Sequence, residues 1–342
     1  MSNPRYTRRS FVLGGLATGA VIAATGMLDV RRAGAQQRGG SGDPAYPTRP
    51  IRVIIPFAAG SATDVMMRQL TPRMSQTLGQ PLVIDNRAGA AGVIGSELVT
   101  RSSPDGHTLL MAAVSSHSIA VALRPKLPYN VLRDFTPIGR ACTSTNFVVV
   151  HPSVPARTLK ELVAYSKTVP KSLGFGSGGV GSSNHLAGEM LRLRTGANIV
   201  HVPYSNVAQA VSDVVAGHVP MLIYTVALLP YIRDGRLRAL AVTSETRQKQ
   251  APDVPTAVEQ GVPGMVANSW FGMFGPAGLP DSIRDRVFAA LRDALTAPDI
   301  APKLIDTGLE PAPLAPADFR AFLQRDIAMW TEVVRASGVT VE

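Results

Sequence analysis

The chain has 342 residues, 45% hydrophobic and 17% charged, which excludes a disordered protein and allows two domains with a sizeable core. Its formal charge of +10 is scattered, with no basic run interleaved with aromatics, which argues against nucleic acid as a partner. The single cysteine, Cys142, excludes an intramolecular disulfide.

The N-terminus reads as an export signal. Arg5, Arg8 and Arg9 precede a mild apolar run from Phe11 to Met27, followed by Ala33-Gly34-Ala35, a small-residue cleavage pattern. Thr7-Arg8-Arg9-Ser10-Phe11-Val12-Leu13 has the form of a twin-arginine motif. Residues 1–35 are therefore expected to be a cleaved signal, leaving a periplasmic protein of charge +6. An uncleaved anchor is the alternative, although the run is marginal for a spanning helix. Residues 36–45 begin a Gly/Pro-rich, flexible lead-in.

From there short β-branched runs alternate with helical patterns. "IRVIIPF", "PLVIDN", "HTLLMAAV", "NFVVVHP", "SLGFGS", "NIVHVPY", "MLIYT" and "LRALAVT" read as strands. Amphipathic segments cover Val65–Leu78, Thr158–Lys167 and Asn184–Arg194, with a capping box at Thr158–Glu161. The alternation predicts an α/β architecture with mainly parallel sheets. The C-terminal stretches "DSIRDRVFAALRDALTAPDI" and "PADFRAFLQRDIAMWTEVVRASG" read as helices without intervening strands. In the second, Phe319, Phe322, Leu323, Ile327, Trp330 and Val334 form a core-facing stripe, and Gly338 suits the helix end.

Two strand-to-helix junctions stand out. "VIIPFAAGSATD", Val53–Asp64, places Gly60, Ser61, Ala62 and Thr63 where unpaired helix N–H groups and a positive dipole favour an anion. The second, Gly176-Ser177-Gly178-Gly179-Val180-Gly181, matches G-x-G-x-x-G. A dinucleotide site is nevertheless disfavoured, because "NIVHVPYSN" supplies no acid for a ribose. Neither loop continues into the Lys-Ser/Thr of a phosphate P-loop, and no nucleophile elbow is present. Ser183 and His185 are too close along one helix start to face each other, so no nucleophile–base pair is read. The six histidines lack metal-ligand spacing. No cofactor and no metal are expected.

Two such loops with hydroxyls suit a molecule with two acidic ends. A charge-assisted hydrogen bond contributes about 1.5–3 kcal/mol and a helix dipole about 0.3–1. Each loop can equally be a tight turn that needs glycine for backbone reasons alone.

"YPTRPIRVIIPFAAGSATD", "LGQPLVIDNRAGAAG", "SPDGHTLLM", "LPYNVLRDFTPIG", "GSGGVGSSNHLAGE", "IVHVPY", "GRLRALAVTSETR", "PDVPTAVEQGVPG" and "SWFGMFGPAGLP" occur in that order. They resemble the receptors of tripartite tricarboxylate transporters, the Bug proteins, from Tyr46 to the C-terminus. The resemblance implies a type II periplasmic binding protein of the Venus-flytrap form: two α/β lobes around a ligand cleft. Lobe one would comprise 46–144 plus 265–342, and lobe two 145–264.

It also implies a non-enzymatic, monomeric receptor that captures a small carboxylate or dicarboxylate for the membrane subunits of such a transporter. A ligand sensor for a signalling partner and an exported cofactor enzyme are the alternatives. The family's loops fall here on Phe57–Asp64, Ser115–Ser118, Ser177–His185 and the Val202–Tyr204 turn. Expected ligand contacts are Phe57, Gly60, Ser61, Ala62, Thr63 and Asp64 at one end, with Ser115 and Ser116. Ser177, Gly178, Gly179, Ser182, Ser183 and Tyr204 are expected at the other. For Asp64 a helix-capping role competes with ligand contact; for Arg87 and His185 local structural roles are favoured. The chain departs from the family at Ser61, at Ala88 and Ala91, at Ser205-Asn206, at Val219-Pro220 and at Tyr224, so the ligand's identity stays open.

Overall fold

The protein is seen here as a computed structural model that describes residues 46–341. The expected signal and lead-in lie outside the described residues. No described helix is long and apolar enough to cross a membrane.

The chain opens with β1 (Ile51–Ile55), α1 (Ala62–Leu78), β2 (Leu82–Asn86), α2 (Val93–Thr100) and β3 (Thr108–Ala113). A π-helical turn over Ser115–Ile119 continues into the one-turn α3 (Ala120–Leu123), and β4 (Phe135–Ser144) leads out. There follow β5 (Phe147–Val150), α4 (Leu159–Ser166), β6 (Leu173–Ser177), α5 (Ser183–Thr195) and β7 (Ile199–Pro203). Then come α6 (Val207–Val215), β8 (Met221–Tyr224), α7 (Leu229–Arg233) and β9 (Arg238–Val242). The chain returns through β10 (Ser269–Pro276), α8 (Asp281–Thr296), α9 (Ala301–Asp306), β11 (Glu310–Leu314) and α10 (Pro316–Ser337).

These strands form two sheets, ordered β11-β4-β10-β3-β1-β2 and β7-β6-β8-β5-β9. The fold is thus a two-lobe α/β arrangement with helices on the sheet faces, as expected. The sheets are mixed rather than mainly parallel. β1 pairs in parallel with β2 and β3, and β6 with β7 and β8. The pairs made by β10, β11 and β5 are antiparallel.

A further correction concerns the C-terminal half, where β11 lies between two of its helices. Its sequence, Glu-Pro-Ala-Pro-Leu, is a poor strand by composition, but β11 is an edge that pairs only with β4, where proline is tolerated.

β1 shows why these segments are strands. Ile51, Val53 and Ile55 alternate into the apolar layer under α1 and α8, while Ile54 enters the layer under α10. A strand covered on both faces reads as a continuous apolar run. α10 buries Phe319, Leu323, Trp330, Val333 and Val334, and Gly338 closes it at φ +71°. The apolar cluster under α10 continues through Leu186 and Met190 of α5 to Phe175 of β6, so one core joins the two sheets.

Two crossovers connect the lobes and are laced together. Asn146, between β4 and β5, is fully buried. Its carbonyl accepts from Thr243 N–H (2.9 Å), and its amide Nδ2 donates to Ala267 O (2.7 Å). Ala267 N–H closes the knot on Thr243 O at 3.0 Å.

Candidate functional site

Sheet order locates the site. From β1 the chain goes to β2 on one side and, later, to β3 on the other; from β6 it goes to β7 and then to β8. Loops that leave on either side of such a reversal open a crevice at the carboxyl ends of the strands, where α/β sheets bind ligands. The segments after β1 and β6 are the two Gly/Ser loops singled out in the sequence.

In the first, Gly60 takes φ +80°, a turn that glycine makes without strain, and Ser61 caps α1 by accepting from Asp64 N–H at 3.4 Å. Asp64 is turned inward and only 2% exposed. It accepts from Gly60 N–H (2.9 Å), Arg68 Nε (2.9 Å) and Asn86 Nδ2 (3.1 Å). Burial opposes its ionisation, but the bonds from Arg68, Gly60 and Asn86 outweigh that and hold its carboxyl below the usual range. Asp64 therefore fixes the loop. Thr63 is buried as well, whereas Gly60 and Ala62 are exposed and Ser61 half-exposed.

Gly60 N–H is spent on Asp64, and Ser61 N–H on Ala58 O. The donors left in the first turn of α1 are the N–H groups of Ala62 and Thr63.

Phe57 and Ser116 meet at Gly92, where an added Cβ would stand 2.9 Å from Ser116 Cβ and 3.1 Å from the Phe57 ring. This joins the segments following β1, β2 and β3. Ser116 itself is buried, its hydroxyl donating to Ala113 O at 3.1 Å, while Ser115 is half-exposed.

The second loop is more densely bonded. Ser182 caps α5, accepting from His185 N–H (3.2 Å) and donating to Gly179 O (2.7 Å). Gly181 N–H donates to His185 Nδ1 (3.1 Å), and Gly179 N–H to Ser177 Oγ (3.1 Å). His185 thus acts at the helix start, as expected. The first-turn donors that remain are the N–H groups of Ser183 and Asn184. Gly178 is exposed; a Cβ on Gly179 would stand 3.3 Å from Tyr204 O.

The Tyr204 hydroxyl is engaged within its own lobe. Its hydroxyl donates to Asp213 Oδ2 at 2.8 Å, and burial together with Asp213 pushes its pKa up to about 12. Arg87 is likewise engaged, with Nε 2.9 Å from Asp85 Oδ1.

The second loop reaches the first sheet. Ser183 Oγ lies 3.0 Å from Ser269 Oγ at the start of β10, and an added Cβ on Gly181 would stand 2.8 Å from Leu123 of α3.

One arrangement was not legible along the chain. Ser177 Oγ lies 2.6 Å from His201 Nε2, correcting the expectation that no hydroxyl meets a base. Parallel pairing sets Phe175 opposite His201 and Ser177 opposite Pro203, so Ser177 and His201 are diagonal neighbours on one face. That register is the signal that finds the pair. Ser177 is fully buried, so no substrate carbonyl can approach it. His201 also stacks on His185 with ring centroids 3.6 Å apart. Burial lowers both histidines to about 4, with each other's proximity adding to the effect on His185. Both are neutral at neutral pH.

Asn184 was also missed as a positioning residue: its Nδ2 donates to Asn146 Oδ1 at 2.7 Å, tying the start of α5 to the crossovers. Among the described residues no cluster of His, Cys, Asp and Glu could hold a metal ion.

A family model described as the tripartite tricarboxylate transporter family receptor matches residues 66–339. The chain belongs to this family. It is 37% identical over 299 residues to protein BugT of Bordetella pertussis, covering 87% of this chain and 92% of that one. Among solved structures, an R. palustris protein with adipate superposes with a TM-score of 0.74 at 31% identity, covering 86% of this chain and 99% of that one. MatC from Rhodopseudomonas palustris with bound malate superposes at 0.71 and 33% identity, covering 84% and 100%. The receptor family and these neighbours are non-enzymatic solute-binding proteins. The Ser177–His201 contact in this receptor is accordingly a brace for the loop.

Proposed function

We propose that the protein captures a small organic acid with two carboxylates between the loops after β1 and β6. We further infer that it works in the periplasm as a monomer, after cleavage of the signal near Ala35, and hands its ligand to the membrane subunits of a tripartite tricarboxylate-type transporter. Residues 46–144 with 265–342 form one lobe in this reading and 145–264 the other, a division supported by the membership of the two sheets.

The observation that carries the ligand class is the pair of Gly/Ser helix starts, each with unspent N–H donors. α1 offers the N–H groups of Ala62 and Thr63 with the Ser61 hydroxyl, and α5 offers Ser183 and Asn184, brought to the first sheet by the Ser183–Ser269 contact. Two donor sets of this kind, each at the positive end of a dipole, match a molecule with a carboxylate at either end. The adipate and malate found in two neighbours have that form.

A thermal-shift and calorimetric screen against mono-, di- and tricarboxylates, acidic amino acids and aromatic acids tests this reading. Dicarboxylates are expected to raise the melting midpoint, by the equivalent of about 2.7 kcal/mol at a hundredfold excess over Kd. If an uncharged solute shifts the midpoint and no acid does, the two-carboxylate reading is wrong.

A further inference from the structure

We propose that a second small-molecule site lies behind the laced crossovers, built for a monocarboxylate with an apolar body whose carboxylate pairs with Arg140. The space is a cavity of about 550 Å³, within the range of small-ligand sites. It is distinct from the cleft between the two loops. Side chains alternate faces along a strand, so Asn268 and Trp270 line this cavity while Ser269 between them turns to Ser183.

Arg140 is the anchor. It projects from β4, its Nε donating to Ala312 O at 2.9 Å, and its guanidinium carbon lies 5.0 Å from the centroid of the Phe322 ring. Among the described residues it makes no ion pair, and burial lowers its pKa. Glu245 and Asp326 act on it only from beyond ion-pair distance. A guanidinium held partly out of water with no carboxylate in direct contact is costly, and a ligand carboxylate accepting its remaining N–H groups offsets that cost. Bidentate pairing is the geometry such a fork favours.

The rest of the lining sets the class. Trp270, Leu314, Phe322 and Met329 supply an apolar wall, which a hydrocarbon or aromatic body would cover. Glu245 and Glu310 also line the cavity, and its other cation, Arg325, is exposed to solvent, so a second carboxylate on the ligand would meet two acids and no buried cation. Asp326, whose Oδ2 accepts from the Trp270 indole N–H at 2.7 Å, acts on Arg140 without reaching ion-pair distance and leaves its remaining N–H groups for a ligand. This selects against the dicarboxylates expected in the cleft and does not depend on that reading.

The test is calorimetric titration of the purified full chain with phenylacetate, with phenylacetamide as the uncharged control. Phenylacetate is expected to bind saturably and phenylacetamide at least about tenfold more weakly, the loss of a charge-assisted bidentate pair. Arg140→Met is expected to weaken phenylacetate by about tenfold or more, with Arg140→Lys between the two. Thr246→Trp, at an exposed position on the cavity wall, should block phenylacetate without disturbing the fold, and it decides the matter if Arg140→Met does not fold. Adipate at saturation should leave phenylacetate binding in place. The proposal is overturned if phenylacetate shows no saturable binding, if a folded Arg140→Met or Thr246→Trp protein binds it as the wild type does, or if adipate displaces it.

Discussion

His185 and His201 show how a single side chain can govern the loop it supports. His185 serves as an acceptor only while neutral, its Nδ1 taking the Gly181 N–H, and its ring stacks on His201, whose Nε2 shares a hydrogen bond with the Ser177 hydroxyl. Burial depresses both to about 4, against about 6.5 in an unfolded chain. The unfolded state therefore binds protons first as pH falls. The stability linked to these groups is fully present above about pH 6.5 and is lost as pH falls towards about 4, at roughly 1.4 kcal/mol per pH unit for each histidine. His117, fully buried and lowered to about 3 by desolvation, adds to the same slope. Urea-unfolding midpoints taken between about pH 7 and about pH 5 should fall steeply, and His201→Gln should flatten the slope by about a third. A pH-independent midpoint over that interval would show that the stacked pair is not held neutral.

Among the elements, α5 carries the most information per residue, and its start was read directly from the chain. Gly-Ser-Gly-Gly-Val-Gly followed by Ser-Ser-Asn announces a strand-to-helix turn because only glycine adopts its positive φ freely and serine caps well. Ser182→Ala removes the cap to His185 N–H and the bond to Gly179 O together. It should cost about 1 kcal/mol of stability and weaken dicarboxylate binding, whereas Ser182→Thr should retain most of both; chemical denaturation and calorimetry read the two effects. If Ser182→Ala lowers stability and leaves affinity untouched, the loop's shape does not matter to the ligand.

Other elements hid their identity. β4 holds Pro137 and Gly139, β10 holds Gly272 and Gly275, and β11 holds two prolines. These compositions read as loop because glycine and proline are ordinarily depleted from strands. The structure supplies the missing reason. A Cβ on Gly272 would stand 2.3 Å from the Phe319 ring, and one on Gly139 would stand 2.4 Å from the Phe288 ring. Each glycine makes room for an aromatic from a helix distant in sequence, a requirement that no local pattern carries. The Ser177–His201 pair was hidden for a related cause, since it depends on which strand lies beside β6.

At the level of the whole molecule, the question is how the two loops could close on a ligand. The laced crossovers keep the lobes connected at Asn146, Thr243 and Ala267. α10 adds a second constraint, because it packs on the first sheet while Val333 and Ala336 face Met190 and Leu193 of α5. Swinging the lobes wide apart at that seam would expose part of a continuous apolar core, at about 25 cal/mol for each Å² uncovered. Closure is therefore expected as a small sliding of α5 and its lobe that brings the loop tips together while the α5–α10 seam holds. Only a ligand with higher affinity for the closed form can drive it. Spin labels at Ala62 and Val180, both exposed at the loop tips, should move closer on saturation with adipate, while labels at Leu193 and Glu332 on the seam keep their separation. Should the seam distance change as much as the tip distance, the lobes move as freely hinged bodies, and α10 does not restrain them.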